Sequence, residues 1–211
     1  MRILLTGFEA FNNSKINPSA RIIEQFPDEQ FPNHIILKMV VPVDSKTAGQ
    51  EITNNIDEFK PDIVLHLGEA SIRPVISLEK VAINWMDYRI ADNAGNTIAD
   101  KKIDEDAPDA YFSTLPIHEM YPDIVNNKIP VEISLSAGAF LCNQVFFTSM
   151  HYLKMIDSSA ICGFIHVPPL PEQVVEKNLT SPSMSLELSL EAIVIALKSC
   201  INYIEGRSFT H

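Results

Sequence analysis

Ala160-Ile161-Cys162-Gly163-Phe164-Ile165-His166-Val167 is an uninterrupted, almost wholly apolar run that stops at Pro168-Pro169. A run of this length without polar alternation reads as a strand covered on both faces, as strands are in parallel sheets flanked by crossover helices. Working outward, Arg2 to Thr6 reads as a strand ended by Gly7, His34 to Pro42 as a second, and Asp62 to Leu67 as a third ended by Gly68. Val131 to Leu135 is another. Amphipathic stretches separate them. Asn17-Pro18-Ser19 opens a helix that continues through Arg21 to Phe26, with Pro18 acceptable in the first turn. Asp44 can cap a helix running to about Phe59, where Lys60-Pro61 ends it. A short helix over Ile117 to Asn127 should be broken or kinked at Pro122, and Phe140 to Lys154 reads as a further helix. Met184 to Glu205 closes the chain as a helix, with Gly206 as its stop.

Two segments are less regular. Val75 to Trp85 (VISLEKVAINW) is a β-rich run, either one long strand or a hairpin arm. Met86 to Pro108 is turn-rich and acidic, an excursion of the length that often serves as a functional loop. Alternation of strand and helix predicts an α/β fold: one domain over residues 1–211, three layers α/β/α around a twisted, mostly parallel sheet.

The chain has 211 residues and a net charge of -11, which argues against nucleic-acid or anionic-membrane partners because both need a basic surface. The opening MRILLTGFEAF is too short an apolar run for a signal peptide, and no stretch approaches the ~18 apolar residues of a membrane span. Cys142, Cys162 and Cys200 are odd in number and widely spaced, without CxxC or paired-histidine spacing. Free thiols in a cytoplasmic protein without a metal site are the expectation.

Ligands of open α/β sheets bind beyond the carboxyl ends of the strands. Gly7-Phe8, Gly68-Glu69, Ser136-Ala137-Gly138 and His166 all stand at such ends. Cys142 follows the small-residue turn in SLSAGAFLCNQVFF, inside the first turn of a helix. There the partial positive charge favours a thiolate, and the free N–H groups can hold an oxyanion. The ordinary reading is a buried structural thiol. His166 can serve such a thiol as general base, although a histidine ending an apolar strand is more often a satisfied core residue. By period-two alternation Glu79 shares a face with Ser77, Val81, Ile83 and Trp85. A carboxylate there needs a partner, either an imidazole or an ion pair.

LLTGFEAFNNSKINPS, LHLGEA, ISLEKVAINWMDYRIADNAG, SLSAGAFLCNQVFF and CGFIHVPPLPEQV occur in this order. On these segments the chain resembles the pyroglutamyl peptidase I (pyrrolidone-carboxylate peptidase) family over nearly its full length. The resemblance implies a cofactor-independent cysteine peptidase that removes an N-terminal pyroglutamyl residue from peptides. It implies Cys142 as nucleophile, His166 as base and Glu79 as the residue orienting the imidazole. Phe8 and Phe11 match aromatics that flank the lactam, and Asn17, Arg89, Ile90 and Phe140 match other pocket positions. Arg89 corresponds to an arginine thought to assist the oxyanion. Family members are often homo-oligomers, dimers or tetramers.

Several positions depart from the family pattern. FxPFGG becomes Phe8-Glu9-Ala10-Phe11-Asn12-Asn13, and in the long loop Ala91 replaces a proline and Tyr88 an alanine. Glu69 stands where glutamine is common. A side chain facing the pocket would raise the thiol's pKa, whereas a backbone-only contact would make the change nearly silent; the second is the expectation. Three other classes compete: a lactam-binding protein without catalysis, a nucleoside phosphorylase-like transferase on a related architecture, and a thiol redox sensor. Against them stand the retained Cys, His and Glu, the lack of a convincing phosphate loop, and the apolar settings of Cys162 and Cys200.

Overall fold

The computed structural model describes residues 1–177 and 180–208. In chain order the strands are β1 (Arg2–Phe8), β2 (Ile35–Val41), β3 (Ile63–Glu69), β4 (Ile76–Glu79), β5 (Val81–Ile83), β6 (Ala110–Phe112), β7 (Val131–Ser134) and β8 (Ile161–Val167). The helices are α1 (Pro18–Gln25), α2 (Ala48–Phe59), α3 (Ile117–Asn126), α4 (Leu141–Met155), α5 (Pro171–Glu176) and α6 (Leu186–Ser208). Six strands make the central sheet in the order β2-β1-β3-β8-β4-β7. The first four run parallel; β4 pairs antiparallel with β8, and β7 runs parallel to β4.

Alternation along each strand builds the layers. Ile3, Leu5, Ile63, Leu65, Leu67, Ile161 and Ile165 face a core shared with Ile22 of α1, Met120 of α3 and Leu197 of α6. Leu4, Val64, Cys162 and Phe164 face a second core with Ile52 of α2 and Phe146 of α4. Helices therefore cover both faces of the sheet, the three-layer arrangement expected.

Local chemistry corrects several boundaries. Gly7 and Gly68 lie inside β1 and β3 instead of ending them. A Cβ on Gly7 would come within 2.6 Å of the Ser19 carbonyl oxygen, so this glycine lets the backbone of α1 approach the strand. Gly7→Ala is expected to destabilise the fold by about 1–3 kcal/mol, because the obstacle is rigid backbone. A urea melt matching wild type would contradict that. α2 begins at Ala48, after a turn in which the Asp44 carbonyl accepts from Ala48 N at 3.0 Å. Pro122 sits within an unbroken α3, its ring on the exposed side where the lost N–H costs one bond. Gly206 does not stop α6, which continues to Ser208; one glycine costs a helix only about 1 kcal/mol.

The Val75–Trp85 run is neither one strand nor a simple hairpin arm. It divides at Lys80 into β4, in the main sheet, and β5, which pairs antiparallel with β6 in a separate two-stranded sheet. Among the described residues, no helix is long and apolar enough to cross a membrane.

Candidate active site

β8 directs Cys162, Phe164 and His166 to the face covered by α4, and β4 does the same with Ser77 and Glu79. The antiparallel register sets Ser77 opposite His166 and Glu79 opposite Phe164. Glu79 is thus the diagonal neighbour of His166, within reach for side chains of their length. Its Oε1 accepts from His166 Nδ1 at 2.7 Å. Because an ionised carboxylate only accepts, this bond places the ring proton on Nδ1 and leaves Nε2 as the basic nitrogen. Glu79 is fully buried, and burying a carboxylate is costly without partners. A second partner is Arg73, whose Nη1 pairs with the same oxygen while Nη2 donates to the Ser136 carbonyl at 2.8 Å. Among the described residues, Oε2 has no hydrogen-bond partner.

Cys142 is the second residue of α4. Asn143 anchors that end of the helix, its buried amide accepting from Ile83 N at 2.9 Å and donating to the Ile83 and Trp85 carbonyls. The thiol rests over Gly68, where an added Cβ would lie 3.0 Å from Sγ and 2.7 Å from the Phe164 ring. Gly68 is the register partner of His166. The glycine leaves the space that the thiol occupies on the strand next to His166.

The helix N-terminus was expected to favour a thiolate. Burial, followed by the charges of Glu79 and Glu69, instead pushes the Cys142 thiol up to about 12. Its own backbone N–H and Arg73 pull the other way and are outweighed.

A narrow cleft opens at Cys142, lined by Phe8, Phe11, Asn17, Val43, Glu69, Phe140 and Leu141. Phe11 and Phe140 face each other with ring centroids 6.1 Å apart, and Tyr88 packs on Phe140 at 4.5 Å. Asn17 also caps α1, its Oδ1 accepting from Ser19 N at 2.9 Å and its Nδ2 donating to the Glu9 carbonyl at 3.0 Å. In the adjoining loop Asn12 and Asn13 have φ of 52° and 58°. Asparagine is the side chain that best replaces glycine in that left-handed region.

Phe8, Phe11, Asn17, Glu69 and Phe140 therefore meet at Cys142. Arg89 and Ile90 do not line this cleft; both are exposed on the 86–108 excursion. Glu69 does not confine itself to backbone contact: its carboxylate accepts from Gln173 Nε2 at 3.0 Å at the cleft wall, and burial raises its pKa. Sequence reasoning missed Arg73, Val43, Leu141 and Gln173. The Arg73 signal was available as the cation nearest the turn before β4. The loop after β7 also approaches differently than expected. β4 and β7 run against the parallel strands, so Ser136-Ala137-Gly138 follows a strand of the opposite direction, and Arg73 ties the Ser136 carbonyl to the site.

A wider groove, lined by His118, Pro122, Asp123, Ser199 and Asn202, lies between α3 and α6, away from the three cysteines' only partly exposed member, Cys142. His66, another buried histidine, is occupied on both nitrogens, by Thr6 Oγ1 and Ser149 Oγ at 2.8 Å each, and burial lowers its pKa to about 3. It is a neutral core residue.

A cysteine in the first turn of a helix, resting over the strand next to a histidine bonded to a buried carboxylate, is compatible with a cysteine peptidase. Residues 1–203 match the model of the pyroglutamyl peptidase family, and the chain belongs to that family of cysteine peptidases. It is 41% identical over 208 residues to the pyrrolidone-carboxylate peptidase of Thermococcus litoralis, covering 97% of this chain and 94% of that protein. The Pyrococcus furiosus pyrrolidone-carboxylate peptidase is 40% identical over 201 residues, 94% of this chain and 97% of its own. Crystal structures of the P. furiosus pyrrolidone carboxyl peptidase and its cysteine-free mutant are similar to this fold, with a TM-score of 0.93 and 39% identity. The match covers 96% of this chain and 99% of that one.

Proposed function

We propose that the protein hydrolyses the peptide bond following an N-terminal pyroglutamyl residue, with Cys142 as nucleophile, His166 as general base and acid, and Glu79 orienting the imidazole. The observation that carries the reading is the 2.7 Å Glu79–His166 bond on the register partner of Gly68, over which the Cys142 thiol sits. The cleft beside it supports the substrate class. It is narrow, and its walls are chiefly aromatic and aliphatic. A five-membered lactam is small, flat and uncharged, and suits such a slot.

The steps follow from the proton inventory. His166 Nε2 takes the thiol proton as Sγ attacks the carbonyl carbon that follows the ring. Backbone N–H groups at the start of α4 receive the developing oxyanion. Collapse breaks the C–N bond, His166 returns the proton to the departing amine, and a thioester remains. Water, deprotonated by His166, then attacks the thioester; pyroglutamate leaves and Sγ regains its proton. No step calls on a cofactor. Free thiols at all three cysteines suit a reducing, cytoplasmic setting, and assembly into a homo-oligomer is part of the same reading.

A fluorescent amine should be released from its pyroglutamyl conjugate under reducing conditions, and not from the alanyl conjugate, which lacks the lactam ring. Equal turnover of both conjugates would defeat the lactam assignment.

A further inference from the structure

Within this reading, we infer that Glu69 sets the pH range of the enzyme, acting as an electrostatic brake on Cys142. Among the described residues, Glu69 is the only acidic side chain lining the cleft, and it shares that cleft with the thiol. It lies at the end of β3, one residue after the Gly68 on which the thiol rests. The side chain is anchored. Gln173 Nε2 donates to Oε2 at 3.0 Å, and Gln173 is itself held by Leu170 N at 2.8 Å and by contacts to Ser14 and the Ile16 carbonyl. The carboxyl cannot swing away from the cleft without giving up that network.

The charges facing Glu69 decide its titration. Burial raises its pKa, while Gln173 from α5, Lys177 beyond α5 and His166 from β8 oppose the rise. On the other side, Cys142 is faced by Glu79 from β4 and by Arg73 in addition to Glu69. When protonated, Glu69 is a neutral neighbour that can donate to a lactam carbonyl. When ionised, it places a second negative charge, after Glu79, near the developing thiolate and opposes it. The sign is fixed: raising the pH charges Glu69 and strengthens the brake. An uncharged side chain at this position therefore gives a catalyst whose relative advantage grows with pH.

The same shift has a stability consequence. A carboxyl whose folded pKa is raised contributes fully below its unfolded pKa and loses that contribution as pH rises through the folded value.

The test compares wild type with Glu69→Gln, which keeps shape and removes charge, and Glu69→Leu, which removes charge and the Gln173 bond together. Alkylation of Cys142 by iodoacetamide, followed by mass spectrometry across pH, reads the thiol without relying on turnover; Cys162 and Cys200 are buried. Both variants should shift the alkylation midpoint down by about one pH unit, a tenfold faster reaction at fixed alkaline pH. In parallel, the ratio of kcat/KM in Glu69→Gln to that in wild type, for the pyroglutamyl conjugate, should rise with pH. Superimposable alkylation profiles would overturn the inference. A shifted profile in a protein that hydrolyses nothing would uphold the brake and defeat the peptidase assignment instead.

Discussion

Cys142→Ser abolishes amine release from the pyroglutamyl conjugate, by roughly 10⁴-fold or more, while thermal unfolding stays close to wild type. The replacement is nearly isosteric and keeps the first turn of α4, so its packing over Gly68 is undisturbed. What changes is the nucleophile. A hydroxyl is far harder to deprotonate than a thiol, and the Glu79 and Glu69 charges that already push Cys142 up oppose an alkoxide more strongly still. Residual activity within tenfold of wild type would remove Cys142 from the mechanism.

Glu79→Gln lowers kcat by about 10³-fold, with a smaller effect on KM. An amide at this position either offers His166 Nδ1 its oxygen without charge, or turns its NH2 toward the ring and forces the proton onto Nε2. The second arrangement leaves no basic nitrogen for the thiol. A carboxylate required only for packing would give a different signature, since the amide fills the same volume. The cysteine supplies an independent check. Removing one of the two negative charges that hold its proton should make Cys142 alkylate faster, even as hydrolysis collapses. Slower alkylation would mean that Glu79 acts on the thiol through geometry and not through charge.

Much of this was legible in advance, for reasons that particular residues make clear. The apolar run of β8 announced a doubly covered strand because burial on both faces removes every polar alternation. Glu79 was noticeable because a carboxylate amid apolar neighbours needs a partner. Strand direction was not legible: periodicity is the same whichever way a strand runs, so nothing local reveals that β4 opposes β8. That reversal is what brings Glu79 onto the diagonal from His166. Gly7 and Gly68 were misread for a related reason. Glycine marks both a chain reversal and a close approach, and only the neighbouring element, α1 in one case and Cys142 in the other, distinguishes them. β6 has three residues and α5 six, too few for a periodic signal. The contact of Glu69 with Gln173 spans 104 positions in the chain and is fixed only by the packing of α5.

The high proton affinity of Cys142 also bears on the lifetime of the protein. Peroxide attacks thiolates and not thiols, and the first product, a sulfenic acid, proceeds irreversibly to sulfinic acid when a second oxidant molecule arrives. A thiol whose ionisation is opposed spends more of its idle time in the unreactive form. Burial, with the charges of Glu79 and Glu69 behind it, therefore works in the direction of protecting Cys142 between turnovers.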